Sequence, residues 1–286
     1  VGYWGQNSYG ASHLDRPDLW EKDLSEYCNN DEYDVIPIGF LNVFNAGNGQ
    51  LPGINFANHC PDEFNPLLKN YMTAKMCPKI GVDIPYCQKK GKTILLSLGG
   101  AIAQVGFNNA QEAATFAETV WNVFLGGQHQ YRPFGSAVLD GIDLDIEGGS
   151  PEFYDVFIAK LREFYAKDNS KKYYIAAAPQ CEFPDRSLSK ALDNAWFDMV
   201  FIQFYNNWCG LQNYDNQWAW NYNVWDNWAK TKSINKNVKL FIGSPAAQTA
   251  AGSGYVGVDP LKRILKEVRE KYTSFGGLML WDVSQS

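Results

Sequence analysis

The stretch Val138-Leu139-Asp140-Gly141-Ile142-Asp143-Leu144-Asp145-Ile146-Glu147 alternates acid and aliphatic residues with period two. A strand with that pattern carries Asp143, Asp145 and Glu147 on one face and Ile142, Leu144 and Ile146 on the other, whereas a helix would scatter the acids around its circumference. Same-face neighbours on a strand lie roughly 6.6 Å apart, from a rise of about 3.3 Å per residue. Three carboxyl groups that close on a largely buried element cannot all ionise cheaply, so at least one is expected to keep a proton near neutral pH. Such a row can supply a general acid beside a stabilising anion. A solvated acidic edge is disfavoured by the interleaved Ile, Leu and Ile, and the calcium-loop pattern with its internal glycine is absent.

On either side of this stretch, apolar segments that read as strands alternate with amphipathic segments that read as helices. Strands are expected at residues 1–4, 34–41, 93–100, 138–147, 173–179, 197–205, 238–245 and 275–281. Helices are expected at 18–28, 78–90, 108–124, 151–165, 187–193, 222–230 and 260–272. Residues 42–77, rich in Asn, Gly and Pro, read as one long irregular segment. Eight strands in alternation with helices imply an α/β fold, a single-domain (β/α)8 barrel over residues 1–286, rather than an open doubly wound sheet. In a barrel, the residues at strand C-termini converge on one face. Here these are Trp4, Phe40, Asn42, Ser97, Glu147, Pro179, Gln180, Gln203, Tyr205, Pro245, Ala246 and Trp281.

The chain has 286 residues, 45% hydrophobic and 20% charged, with a net charge of −6. That charge disfavours nucleic acid and anionic membranes as partners and is compatible with a neutral polymer. No apolar run reaches the roughly 18 residues of a membrane span. The three histidines, His13, His59 and His129, are scattered, and no metal site is expected. Gly252-Ser253-Gly254-Tyr255-Val256-Gly257 fits G-x-G-x-x-G but lies late in the chain, several residues after a strand. A dinucleotide cofactor is therefore not expected, nor is any other. Six cysteines without a C-x-x-C pair fit three disulfides in a secreted, extracellular protein, in any of 15 connectivities. The start at Val1, without methionine, fits a mature chain from which any signal peptide has been removed.

The segment 140–147 matches the D-G-x-D-x-D-x-E signature of glycoside hydrolase family 18. Tyr3-Trp4-Gly5-Gln6-Asn7, Phe40-Leu41-Asn42, Ser97-Leu98-Gly99-Gly100, Ala177-Ala178-Pro179-Gln180-Cys181, Gln203-Phe204-Tyr205-Asn206 and Met279-Leu280-Trp281 extend the match along the whole chain. The sequence resembles the class III, hevamine-like chitinases of plants and fungi, with fungal members nearer. That resemblance implies an endochitinase acting on β-1,4-linked N-acetylglucosamine polymers by a retaining, substrate-assisted route, a recognised exception to the two-carboxylate scheme. By the same resemblance, Glu147 is the acid and base, Asp145 orients the acetamide, and Asp143 shares the proton of Asp145. Tyr205 and Gln203 position the acetamide, and Trp281 floors the site. Tyr3, Gln6, Phe40, Asn55 and Ala246 line the cleft. The resemblance further implies the pairs Cys28–Cys87, Cys60–Cys77 and Cys181–Cys209, a monomer, and a final helix after the last strand that this sequence does not contain.

Position alone supports part of these assignments. Glu147, last in the row, is nearest the open end of the strand, and Asp143 is deepest. For Trp281 the alternative is core packing, and for Tyr205 a hydroxyl tied to a neighbouring carboxylate. Two other functions compete on the same fold. One is a catalytically silent carbohydrate-binding or inhibitor protein, and the other is an endo-N-acetylglucosaminidase acting on glycoproteins. The presence of Glu147, Asp145 and Tyr205 together favours an enzyme over a silent binder.

Overall fold

The computed structural model describes residues 1–29, 31–45, 51–60 and 76–286. Its strands are β1 (Val35–Val43), β2 (Gly53–Ile54), β3 (Thr93–Gly99), β4 (Gly141–Asp145), β5 (Tyr174–Ala177), β6 (Met199–Gln203), β7 (Lys239–Pro245) and β8 (Phe275–Trp281). The helices are α1 (Ser8–Ser12), α2 (Pro78–Lys89), α3 (Ala110–Phe124), α4 (Tyr154–Tyr165), α5 (Ser189–Asn194), α6 (Tyr222–Thr231) and α7 (Val258–Lys271). The sheet order is β2-β1-β3-β4-β5-β6-β7-β8, parallel throughout except for β2, which pairs antiparallel with β1.

Residues 1–4 close the sheet. Gly2 bridges to Leu280 of β8 and Trp4 to Ile38 of β1, both in parallel sense. Main-chain bonds run from Tyr3 N to Leu280 O (3.1 Å) and from Trp4 N to Pro37 O (3.0 Å). The barrel is thus seven parallel strands joined by this short N-terminal segment, the eighth stave. β2 is an addition outside it, within the stretch read as wholly irregular from sequence. The remainder of that stretch is divided: residues 46–50 and 61–75 lie outside the described residues, and a short 3-10 turn occupies Ala57–His59.

The sheet separates two apolar layers, and β4 shows why. Ile142, Leu144 and Ile146 belong to the large cluster between barrel and helices, where each is at most 2% exposed. Burying side chains of this size stabilises by about 1.5–3 kcal/mol each, which holds the strand in place despite the acids on its other face. The barrel interior is a smaller cluster that includes Tyr3, Phe40, Leu95, Ala176, Ala178, Phe201, Tyr205 and Met279. Small residues let the strands close tightly. Gly99 at the end of β3 has φ +119°, and a Cβ there would sit 2.0 Å from the carbonyl oxygen of Asp145. The next residue, Gly100, donates its N–H to that same oxygen at 2.8 Å.

The helix expected at 18–28 is not formed. Two 3-10 turns, Pro17–Leu19 and Leu24–Cys28, flank an extended Trp20. Tertiary bonds outcompete the local pattern. Glu21 N donates to Asn7 Oδ1, while Glu21 Oε2 accepts from Gly5 N and bonds His59 Nε2. Conversely, no helix is expected between residues 4 and 18, yet α1 forms there, its first turn capped by Asn7, which accepts from Gly10 N. Three disulfides join Cys28 to Cys87, Cys60 to Cys77 and Cys181 to Cys209. Among the described residues no helix is long and apolar enough to cross a membrane.

The close approach at Gly99 gives a direct test. Gly99→Ala must move the backbone of β3 off β4 and should cost about 3 kcal/mol in urea unfolding, from positive-φ strain and overlap together. Gly148→Ala, at an exposed site with nothing within 4 Å of its would-be Cβ, should change stability by less than about 0.5 kcal/mol. Equal effects of the two would contradict the packing described.

Candidate active site

Asp143 and Asp145 project from β4 into the barrel, and Glu147 stands two residues beyond the end of the strand. Exposure rises along the row, from 0% at Asp143 to 4% at Asp145, with Glu147 half-buried. Asp143 Oδ2 accepts from the Tyr3 hydroxyl at 2.7 Å and from Ser97 Oγ at 2.6 Å, while its Oδ1 is buried with no partner among the described residues. Asp145 Oδ1 accepts from Gln203 Nε2 at 2.9 Å, and that amide also donates to Ala178 O. Asp145 and Glu147 are hydrogen-bonded to each other.

Burial is the leading cause of every shift in this row. Asp143 is raised to about 6, held from going higher by its two hydroxyl donors. Asp145 is pushed well above the carboxylate range by burial, then by the charges of Glu147 and Asp143. Glu147 is also raised by burial, against the hydrogen bonds from Asp145 and Gln203. At neutral pH the proton therefore resides in the Asp145–Glu147 pair, a property of the pair rather than of either residue. Asp143 takes both of its hydroxyl donors on one oxygen.

Tyr205, buried beyond the end of β6, faces the acids; burial and then the charges of Asp145, Glu147 and Asp143 keep its phenol neutral. Trp281 ends β8 half-buried, its ring 5.6 Å from that of Tyr3 and 6.0 Å from that of Phe40. Together Tyr3, Phe40, Asp145, Glu147, Gln203, Tyr205 and Trp281 line one open cavity. No ion pair among the described residues reaches Asp143, Asp145, Glu147 or Asp185. No group of three His, Cys, Asp or Glu among them is placed to hold a metal.

Gln6, Asn55 and Ala246 are absent from that lining. Gln6 spends its Nε2 on three carbonyls, those of Gly5, Gly39 and Asn55. Asn55 is exposed, its Oδ1 accepting from Ala57 N and its main chain pairing with Phe40. Ala246 pairs its N–H with Trp281 O. All three are tied to neighbouring main chain, Gln6 to Gly39, Asn55 to Phe40 and Ala246 to Trp281. Residues not foreseen in the lining are Ala101, Ala178, Asn206, Ala250 and Met279. Met279 was legible, two residues before Trp281 on the same face. Asp185 was also missed. Its carboxylate accepts from the N–H groups of Gln180, Ser187 and Leu188, and its charge raises both Asp145 and Glu147. The only hint was an Asp after Pro184 in a turn.

A protein-family model for the glycosyl hydrolases of family 18 matches residues 1–257. The chain belongs to this family. Among its relatives, "Chitinase 2" of Rhizopus oligosporus is 44% identical over 284 residues, covering 99% of this chain and 49% of the relative. This family 18 chain spans about half the length of the first curated relatives it matches. Its fold matches that of the ICChI chitinase from Ipomoea carnea at TM-score 0.79 and 35% identity, covering 99% and 94% of the two chains. It also matches the xylanase and alpha-amylase inhibitor protein XAIP-II from Scadoxus multiflorus at TM-score 0.79 and 33% identity, covering 98% and 91%.

The raised value of Asp143 has a thermodynamic consequence. Its folded pKa of about 6 lies above the ordinary 3.8, so its contribution to stability is fully present below about pH 4 and is lost as pH rises through 6. At about 1.4 kcal/mol per pH unit, the loss is roughly 3 kcal/mol. Urea unfolding from pH 4 to pH 7 should show this fall in the parent, superimposed on that of Glu21, which is raised to about 7 by burial. Asp143→Asn should remove the Asp143 part, and parallel pH curves for the two proteins would refute the assignment.

Proposed function

We propose that residues 1–286 form one catalytic domain, an endochitinase cutting β-1,4-linked N-acetylglucosamine polymers with retention of configuration. One observation carries the reading. A proton-holding Asp145–Glu147 pair, a neutral phenol and an indole face a single cavity, with Glu147 at its mouth. Among the described residues no second carboxylate is free to attack on the far side of a sugar: Asp143 is at the bottom, bonded to Tyr3 and Ser97, and Asp185 is occupied by main-chain donors. The nucleophile is then best supplied by the substrate.

The steps follow from position. A sugar seated on Trp281 directs its acetamide toward Asp145 and Tyr205. As Asp145 turns to accept from the acetamide N–H, the proton of the pair passes to Glu147, which delivers it to the glycosidic oxygen as that C–O bond breaks. The acetamide oxygen attacks the anomeric carbon and forms an oxazolinium ion, with Asp145 offsetting its charge and the Tyr205 hydroxyl fixing its oxygen. Glu147, now a carboxylate, takes a proton from water, which opens the ring. Gln203 holds Asp145, and Asp143 supports it from behind. Three disulfides favour a secreted protein, and the substrate is a chitin chain or oligosaccharide.

Likeness to an inhibitor protein keeps a silent binder as the second reading, and the intact acid row weighs against it. Glu147→Gln should lower kcat on chito-oligosaccharides about 10²–10⁴-fold while leaving Kd within about threefold. Asp145→Asn should also lose most turnover. Parent-like turnover in Glu147→Gln would end the mechanism, and in Asp145→Asn it would end substrate assistance.

A further inference from the structure

Three tryptophans among the described residues are widely open to water: Trp196 at 45%, Trp208 at 53% and Trp218 at 85%. Trp196 precedes β6 and so lies at the N-terminal face of the barrel, away from the cavity. Trp208 and Trp218 both lie on the connection from β6 to α6, residues 204–221, on the cavity's own face. That connection leaves directly from Tyr205 and Asn206, which line the cavity.

The backbone of this connection is fixed although its two indoles are not. Cys209 is bonded to Cys181, Leu211 N donates to Phe204 O at 2.8 Å, and Asn213 Nδ2 donates to Trp208 O at 2.8 Å. Beside Trp218, Ala219 N bonds Asn216 O and Trp218 N bonds Asn216 Oδ1, while Trp220 packs on Phe204 at 4.5 Å. No ring contact or hydrogen bond among the described residues engages either indole. Packing thus explains Trp220 but not Trp208 or Trp218. Large apolar faces carried on an ordered backbone lower the cost of binding, since little loop ordering remains to oppose a ligand. Asp215 is the sole charged residue of the connection and is paired to Arg263, and the remainder is rich in Asn and Gln. The surface suits a neutral ligand with flat apolar faces and amide groups.

We propose that residues 206–221 extend the cavity into a longer sugar-binding surface, on which Trp208 and Trp218 stack N-acetylglucosamine units of the polymer outside the cavity. This rests on the chitinase reading and adds that the exposed indoles select polymer over short oligosaccharide. The direct test compares pull-down on insoluble chitin with turnover of a short soluble chito-oligosaccharide, for the parent, Trp208→Ala, Trp218→Ala, the double variant and Trp196→Ala. Each single variant should weaken chitin binding roughly 3- to 10-fold, the size of one aromatic contact. The double variant should weaken it further, with a larger loss on insoluble polymer than on the short substrate. Trp196→Ala should match the parent in both assays. Parent-like chitin binding by the double variant, or an equal loss in Trp196→Ala, would overturn the proposal while leaving the catalytic reading intact. A parent that neither binds nor cuts chitin would overturn both.

Discussion

The structure is organised around an electrostatic cost, that of carboxyl groups buried inside a closed barrel with no ion pair to them among the described residues. Isolated buried charges are too expensive to keep. The molecule meets that cost in two ways that depend on depth. At the bottom, Tyr3 and Ser97 solvate one oxygen of Asp143, so this acid can be an anion. Higher up, Asp145 has one amide donor and faces Glu147, so the two retain a proton between them. The same burial that threatens stability thus prepares a proton at the mouth of the cavity.

Holding the row in place falls to its apolar partners. Ile142, Leu144 and Ile146 fill the layer behind β4, and Gly99 and Gly100 let β3 close against Asp145. Residues 1–4 serve both ends of the arrangement. Their main chain closes the barrel between β8 and β1, and Tyr3 donates to the deepest acid while packing against Phe40 and Trp281. Closure of the fold and solvation of the acid row are therefore one event, which ties stability to the chemistry of the site.

Much of this was legible in the sequence because a strand repeats every two residues. The alternation from Ile142 to Glu147 specified which side chains enter the barrel and in what order of depth, and the same rule reaches Met279 from Trp281. What escaped depends on loops, where side-chain direction has no period. Gln6 reads as a lining residue, and its amide nitrogen is turned to three carbonyls. Glu21 sits in a helical pattern, yet its bonds to Asn7, Gly5 and His59 pull that segment into turns. The location of the proton was also hidden, since three acids in a row look alike until the donors around each are known. Asp185 was invisible for the same reason, as a turn residue whose neighbours only the fold brings near.

The central claim is that buried acids prepare a proton but supply no nucleophile, so the substrate's own acetamide must serve. Time-resolved proton NMR of the first product released from a chito-oligosaccharide tests this most directly. Two displacements at the anomeric carbon, the first by the acetamide, predict the β-anomer at early times, followed by slow mutarotation. An initial α-anomer would mean a single displacement by water and would contradict the account.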